Sequence, residues 1–83
     1  MNFKSYFVYG IKSNRDGRIY VGLTMDVDRR IKEHNLGQVF STQYYKPWKL
    51  IYKEKVGSLA KARQRERYFK SGCGKEILKN IRE

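Results

Sequence analysis

Two runs rich in β-branched and aromatic residues, Tyr6 to Lys12 (YFVYGIK) and Arg18 to Thr24 (RIYVGLT), are joined by only SNRDG. The Asp16-Gly17 pair in that joint is a turn signal, because glycine reaches the positive φ that tight hairpin turns require. The spacing predicts a β-hairpin. Everything after it has to cover that hairpin.

From Asp26 to about Leu36 the pattern turns helical: Val27 and Ile31 are four apart with charge between them, and Gly37 follows as a stop. Gln38 to Pro47 reads as a polar and aromatic connector. Trp48 to Val56 (WKLIYKEKV) alternates as a third strand. Ser58 is an N-cap for a helix from Leu59 to about Lys70. Gly72-Cys73-Gly74 reads as a break, and Lys75 to Arg82, carrying Ile77, Leu78 and Ile81, as a short closing helix. The order ββαβαα predicts an α/β (α+β) sandwich of minimal size, a three-stranded antiparallel sheet flanked by helices. Its 83 residues suffice for one domain, residues 1–83, and not for two cores.

The charge says most about partners. Nineteen Lys and Arg against eight Asp and Glu leave +11, beyond the magnitude of roughly 2–8 usual for a small soluble domain. Such an excess attracts polyanions, nucleic acid first among them. Seven Tyr, four Phe and Trp48 provide a core and exclude a disordered tail. Cys73 is the only cysteine, which excludes an intrachain disulfide and a cysteine metal cluster. No apolar run approaches the ~20 residues needed to span a bilayer, and no secretory leader is visible. The expectation is a reduced, cytoplasmic protein without a membrane partner.

Side-chain direction gathers separate residues. Directly opposed residues of an antiparallel hairpin share a face, so Tyr9 facing Tyr20, or any register slipped by two, leaves both phenols on one side. Packing alone would also explain such a pair. On the following helix, Arg30 lies three beyond Val27 and His34 four beyond Arg30, which borders both on the apolar seam. They are either solvated basic residues or, for Arg30, a planar fork for phosphate. In the Leu59–Lys70 helix, Leu59, Ala62, Glu66 and Phe69 form a stripe in which Glu66 is the helix's only carboxylate. There it needs a partner: an ion pair with Arg63, Arg65 or Arg67, or a hard divalent cation.

The ordered set resembles the GIY-YIG nuclease family, in particular its short stand-alone bacterial type, similar to the N-terminal domain of the excision-repair nuclease. Phe7-Val8-Tyr9 stands where the first triplet belongs, with Phe7 in place of its glycine, and Tyr20-Val21-Gly22 matches the second. Arg30, eight residues after Gly22, and His34 occupy family positions. Ser41-Thr42, Pro47-Trp48-Lys49-Leu50 and Arg65 to Gly72 (RERYFKSG) resemble the stand-alone subgroup. The likeness runs from residue 6 to about residue 81.

The resemblance implies hydrolysis of phosphodiester bonds in nucleic acid, DNA before RNA, by an activated water. Glu66 would bind Mg²⁺ (or Mn²⁺), and Arg30 the scissile phosphate. Tyr9 and Tyr20 would position and deprotonate the water, with His34 assisting. A free phenol has a pKa of about 10, so the site must lower it through Arg30 and the metal, or pass the proton on. Many relatives also carry an asparagine late in the site, for which Asn80 is the candidate. Two rivals remain: a nuclease-like module that binds nucleic acid without cutting it, and a protein-interaction domain docking its basic face on an acidic partner.

Overall fold

The computed structural model describes residues 5–81. The hairpin is formed by β1 (Tyr6–Ser13) and β2 (Ile19–Thr24). Its turn closes through Ser13 N–H donating to the Arg18 carbonyl and Gly17 N–H to the Ser13 carbonyl, both at 2.9 Å. Gly17 takes φ +81°, which explains a glycine at that position. Tyr9 faces Gly22 and Ile11 faces Tyr20, a register two residues from the Tyr9–Tyr20 pairing. The two phenols keep a common face.

Helix α1 (Val27–Asn35) is capped by Asp26, whose carboxylate accepts from Arg29 N–H at 3.1 Å, and Gly37 follows at φ +77°. The connector contains a 3₁₀ turn, Gln43–Tyr45, and a cis Lys46–Pro47 bond. Strand β3 (Trp48–Val56) pairs antiparallel with β1, so the sheet order is β2-β1-β3. Helix α2 (Leu59–Lys70) starts on Ser58, whose hydroxyl accepts from Lys61 N–H at 3.2 Å.

Two features correct the sequence expectation. Simple alternation would place Trp48, Leu50, Tyr52, Glu54 and Val56 on one face of β3. Instead Gly10 faces Tyr52 while Ile11 faces Leu50, and Ile51 is the extra residue of a β-bulge. The bulge reverses the parity of the strand. Trp48 and Leu50 join Tyr9, Ile11, Tyr20 and Ile31 on the α1 side, whereas Tyr52 and Val56 join Val8, Val21, Ala62, Phe69 and Leu78 on the other.

The second correction concerns the last helix. Gly72-Cys73-Gly74 is no break: α3 spans Gly72–Lys79, Ile81 follows it, and Arg82 lies outside the described residues. Ser71 is both the C-cap of α2 and the N-cap of α3, its hydroxyl receiving Gly74 N–H at 3.4 Å. Helix α3 thus turns directly off α2. At Gly74 a Cβ would run into the Tyr68 carbonyl oxygen and lie 2.6 Å from Phe69 Cα, whereas at Gly72 it would meet open space. Gly74→Ala is therefore expected to destabilise by about 1–3 kcal/mol. Gly72→Ala should hold or raise stability by up to about 1 kcal/mol. Urea unfolding of both variants checks the pair; equal effects would mean that the two helices do not approach so closely.

Candidate active site

The α1 face of the sheet gathers four of the five residues singled out from the sequence. Tyr9 reaches across Gly22, where a Cβ would sit 2.5 Å from the phenol's Cζ. The glycine of the second triplet therefore makes room for the tyrosine of the first. His34 descends from α1 onto this ring, and its Nε2 lies 2.8 Å from Tyr9 Oη. Tyr20 packs edge-on against the same imidazole with ring centroids 5.1 Å apart, and Trp48 closes the cluster at 6.3 Å from Tyr20 and 6.4 Å from His34. Asn35 anchors α1 by bonding both backbone groups of Trp48, at 2.6 and 3.1 Å.

His34 does not border the seam as its spacing predicted. It is 0% exposed, and Tyr9 is 1% exposed. The second imidazole nitrogen, Nδ1, lies 2.7 Å from Thr42 Oγ1, so both ring nitrogens are satisfied. Arg30 remains at the rim, its Nη1 donating to Glu33 Oε1 at 2.9 Å while its charge bears on the Tyr9 hydroxyl. Tyr20 is half-buried. Sequence reasoning missed what Thr42, Asn35 and Trp48 do here. Thr42 and Trp48 lie in segments that resemble the stand-alone subgroup, but nothing local shows that a threonine eight residues beyond His34 folds back onto it.

The electrostatics also depart from expectation. Burial, with the charges of Tyr20 and Glu66 adding to it, outweighs Arg30 and pushes the Tyr9 phenol up to about 12. Burial, reinforced by the Arg30 cation and opposed by Glu33, pushes His34 down to about 4. At neutral pH Tyr9 keeps its proton and His34 is uncharged. A lowered Tyr9 pKa is thus not a property of the protein alone, and the hydrogen bond to His34 is what the fold supplies instead.

His34 is the only histidine of the chain, which makes its linkage testable. The unfolded state takes up the proton near 6.5 and the folded state only near 4, so between those values the unfolded chain binds more protons. Stability is fully present above pH 6.5 and falls as pH drops toward 4, by about 2 kcal/mol at pH 5. Urea titrations at pH 7 and pH 5 on the wild type and His34→Gln check this; an equal pH dependence in both would show that His34 is not held neutral.

Glu66 comes from α2, on the opposite side of the sheet. Its carboxylate still bears on Tyr9, since the Tyr9 ring extends over β2 and α2 packs against that same edge strand. Its ion-pair partner is Lys70, at 3.4 Å, rather than any of the three arginines expected from spacing. Arg65 instead grips Glu54 with two bonds of 2.7 and 2.8 Å. Arg63 and Arg67 line a surface pocket together with Glu66 and Lys70. The stripe is also less apolar than its spacing suggested, as Ala62 and Phe69 are buried but Leu59 is exposed. Asn80 is the exposed C-cap of α3.

Among the described residues no group of three or more His, Cys, Asp or Glu could cage a metal. A single carboxylate set among basic residues fits one mode only. Mg²⁺ commonly keeps most of its water, takes one or two carboxylates and completes its shell with substrate phosphate.

Known proteins share this sequence pattern and this fold. The family model described as "GIY-YIG catalytic domain" matches residues 5–77. A UPF0213 protein of Staphylococcus aureus strain Mu3 is 35% identical over 80 residues, covering 95% of this chain and 96% of its own. Its counterpart in strain Mu50 has the same values. The solution NMR structure of a UPF0213 protein from Bacillus halodurans superimposes with a TM-score of 0.55 at 35% identity, covering 89% of this chain and 81% of that one.

Proposed function

The chain belongs to the GIY-YIG catalytic-domain family, which places it in a nuclease superfamily, and from that premise we propose that it is a metal-dependent endonuclease hydrolysing phosphodiester bonds in nucleic acid, DNA before RNA, in the cytoplasm. One observation carries the reading: Tyr9, Tyr20 and His34 meet on one face of the sheet with Arg30 at its rim, and the Glu66 charge acts on Tyr9 from the other side.

The roles follow from position. Tyr20, half-buried at the rim, meets the attacking water. Tyr9, buried and bonded to His34, positions Tyr20 and takes part in moving the proton. Arg30 turns its fork from Glu33 to the scissile phosphate, where charge develops in the transition state. Glu66 is the residue that would hold the metal. When bound, Mg²⁺ or Mn²⁺ supplies Lewis-acid stabilisation of the phosphoryl oxygens and the leaving group. The +11 surface supports binding to the backbone. Phe40 and Tyr44, 86% and 68% exposed on either side of Thr42, offer faces on which bases can stack. No helix among the described residues is long and apolar enough to cross a membrane.

Arg30→Lys separates the clamp from the general charge. The substitution keeps the cation, so binding and its salt slope should barely change. The single-turnover cleavage rate should fall by roughly 100-fold with loss of the two-point contact. Equal losses in rate and binding would place Arg30 among the ordinary surface contacts.

A specific observation favours the non-cutting reading: Glu66 already has a partner in Lys70. Labelled DNA and RNA duplexes, flaps, branches and single strands, incubated with Mg²⁺ or with chelator, separate the two. Cleavage that chelator abolishes supports the endonuclease. Salt-sensitive binding without cleavage of any substrate would leave a nucleic-acid-binding module.

A further inference from the structure

Thr42 takes no part in the roles above, yet it holds the far side of the imidazole. Its Oγ1 lies 2.7 Å from His34 Nδ1 and 3.4 Å from the Val39 carbonyl oxygen, and Thr42 is 1% exposed. A neutral imidazole has one N–H donor and one bare acceptor nitrogen. The polarity of the chain Tyr9–His34–Thr42–Val39 therefore follows from counting hydrogens. At one end the Arg30 cation, which has donors and no acceptor, acts on the Tyr9 hydroxyl. At the other end the Val39 carbonyl can only accept.

One direction uses every hydrogen. With its lone pairs toward the Arg30 cation, the Tyr9 hydroxyl donates to Nε2, Nδ1–H donates to Thr42 Oγ1, and the Thr42 hydroxyl donates to the Val39 carbonyl. In the reverse direction Tyr9 Oη would receive Nε2–H and turn its own hydrogen toward the Arg30 cation. That hydrogen would have an acceptor in neither neighbour, and the Val39 carbonyl would be left with the Thr42 N–H alone, at 3.1 Å. A buried polar hydrogen without an acceptor is costly, so the first direction prevails.

We propose that Thr42 is a positioning residue: it holds His34 in the Nδ1–H form, which keeps Nε2 bare and turns the Tyr9 hydroxyl proton inward onto it. Tyr9 thereby presents its oxygen, and not its proton, to Arg30. The segment carrying Thr42 is built to hold that position. Trp48 Nε1–H donates to the Thr42 carbonyl at 3.0 Å, Ser13 Oγ donates to the Tyr45 carbonyl at 2.5 Å, and Arg15 Nη1 donates to the Tyr44 carbonyl at 3.1 Å. The Arg18 guanidinium also covers the Tyr45 ring at 3.5 Å.

The tautomer is a property of the protein by itself; its catalytic consequence rests on the endonuclease reading. ¹⁵N NMR of the single imidazole in the wild-type chain, without metal or nucleic acid, is expected to show a protonated Nδ1 and a bare Nε2. Thr42→Val keeps the shape but removes the acceptor, and should move the proton to Nε2. Thr42→Ser should preserve the wild-type spectrum. Single-turnover cleavage should drop about 10- to 100-fold in Thr42→Val, the usual worth of a group that orients a functional histidine, and return in Thr42→Ser with binding unchanged throughout.

A wild-type imidazole protonated on Nε2 overturns the proposal, and that measurement needs no variant to fold. So does a Thr42→Val protein with switched tautomer and undiminished cleavage. If the wild type cuts nothing in the substrate panel but carries Nδ1–H, the endonuclease reading falls and the assignment of Thr42 to the tautomer stands.

Discussion

Glu66→Gln is expected to abolish cleavage, by at least about 10³-fold, while the fold and nucleic-acid binding persist. A lost Lewis-acid contact removes several kcal/mol of transition-state stabilisation, and each 1.36 kcal/mol is about tenfold in rate. The cost to the fold should be small by comparison. Glu66 pairs with a half-exposed Lys70 one helical turn away, and such surface pairs are worth about 0.3–0.5 kcal/mol. Lys70→Ala supplies the control. If Glu66 serves only that ion pair, the two variants lose the same modest stability and cleave alike. If Glu66 holds the metal, Lys70→Ala retains cleavage and only Glu66→Gln loses it. A glutamine variant that cuts at the wild-type rate would sink the metal assignment, and one that unfolds would make Glu66 a structural residue.

Tyr20→Phe should cost at least about 100-fold in single-turnover rate with stability nearly unchanged, because it deletes one rim hydroxyl and no packing area. Tyr9→Phe should lose activity on the same scale, but not cleanly. Its hydroxyl is buried and bonded to His34 Nε2, so its removal leaves an imidazole nitrogen unpaired at a cost of about 1–3 kcal/mol. From sequence the two substitutions look equivalent; the structure separates them. Melting curves beside cleavage rates decide the matter. A Tyr20→Phe protein that melts early and cuts normally would be a core tyrosine, whereas a stable, slow one acts in the chemistry.

Much of this architecture was legible in the residues because its causes are local. Asp16-Gly17 makes the turn, Asp26 and Ser58 cap α1 and α2 through bonds spanning three residues, and Gly37 follows α1 at positive φ. The common face of Tyr9 and Tyr20 follows from the period of two and survives a slip in register. Arg30 and Glu66 were found by their place on a helical face, which needs only 3.6 residues per turn.

Tertiary structure decided what depends on residues distant in the chain. The bulge at Ile51 sends Trp48 to one core and Tyr52 to the other, because β3 has to match β1 along its length. The burial of His34, and with it the raised Tyr9 and lowered His34 pKa, arises only when α1, β1 and the Thr42 segment close on one another, since desolvation is a property of the assembled core. Where helical spacing left Glu66 a choice of three arginines, packing sent Arg65 to Glu54, and Glu66 paired with Lys70 one turn along its own helix. The glycines of Gly72-Cys73-Gly74, which read as a break, begin α3 instead: Ser71 caps both helices, and Gly74 leaves the room that α2's last turn requires. At the bulge, at His34 and at Arg65, a contact between segments far apart in the chain outweighed the local preference, whereas at Gly74 the close approach of two successive helices did.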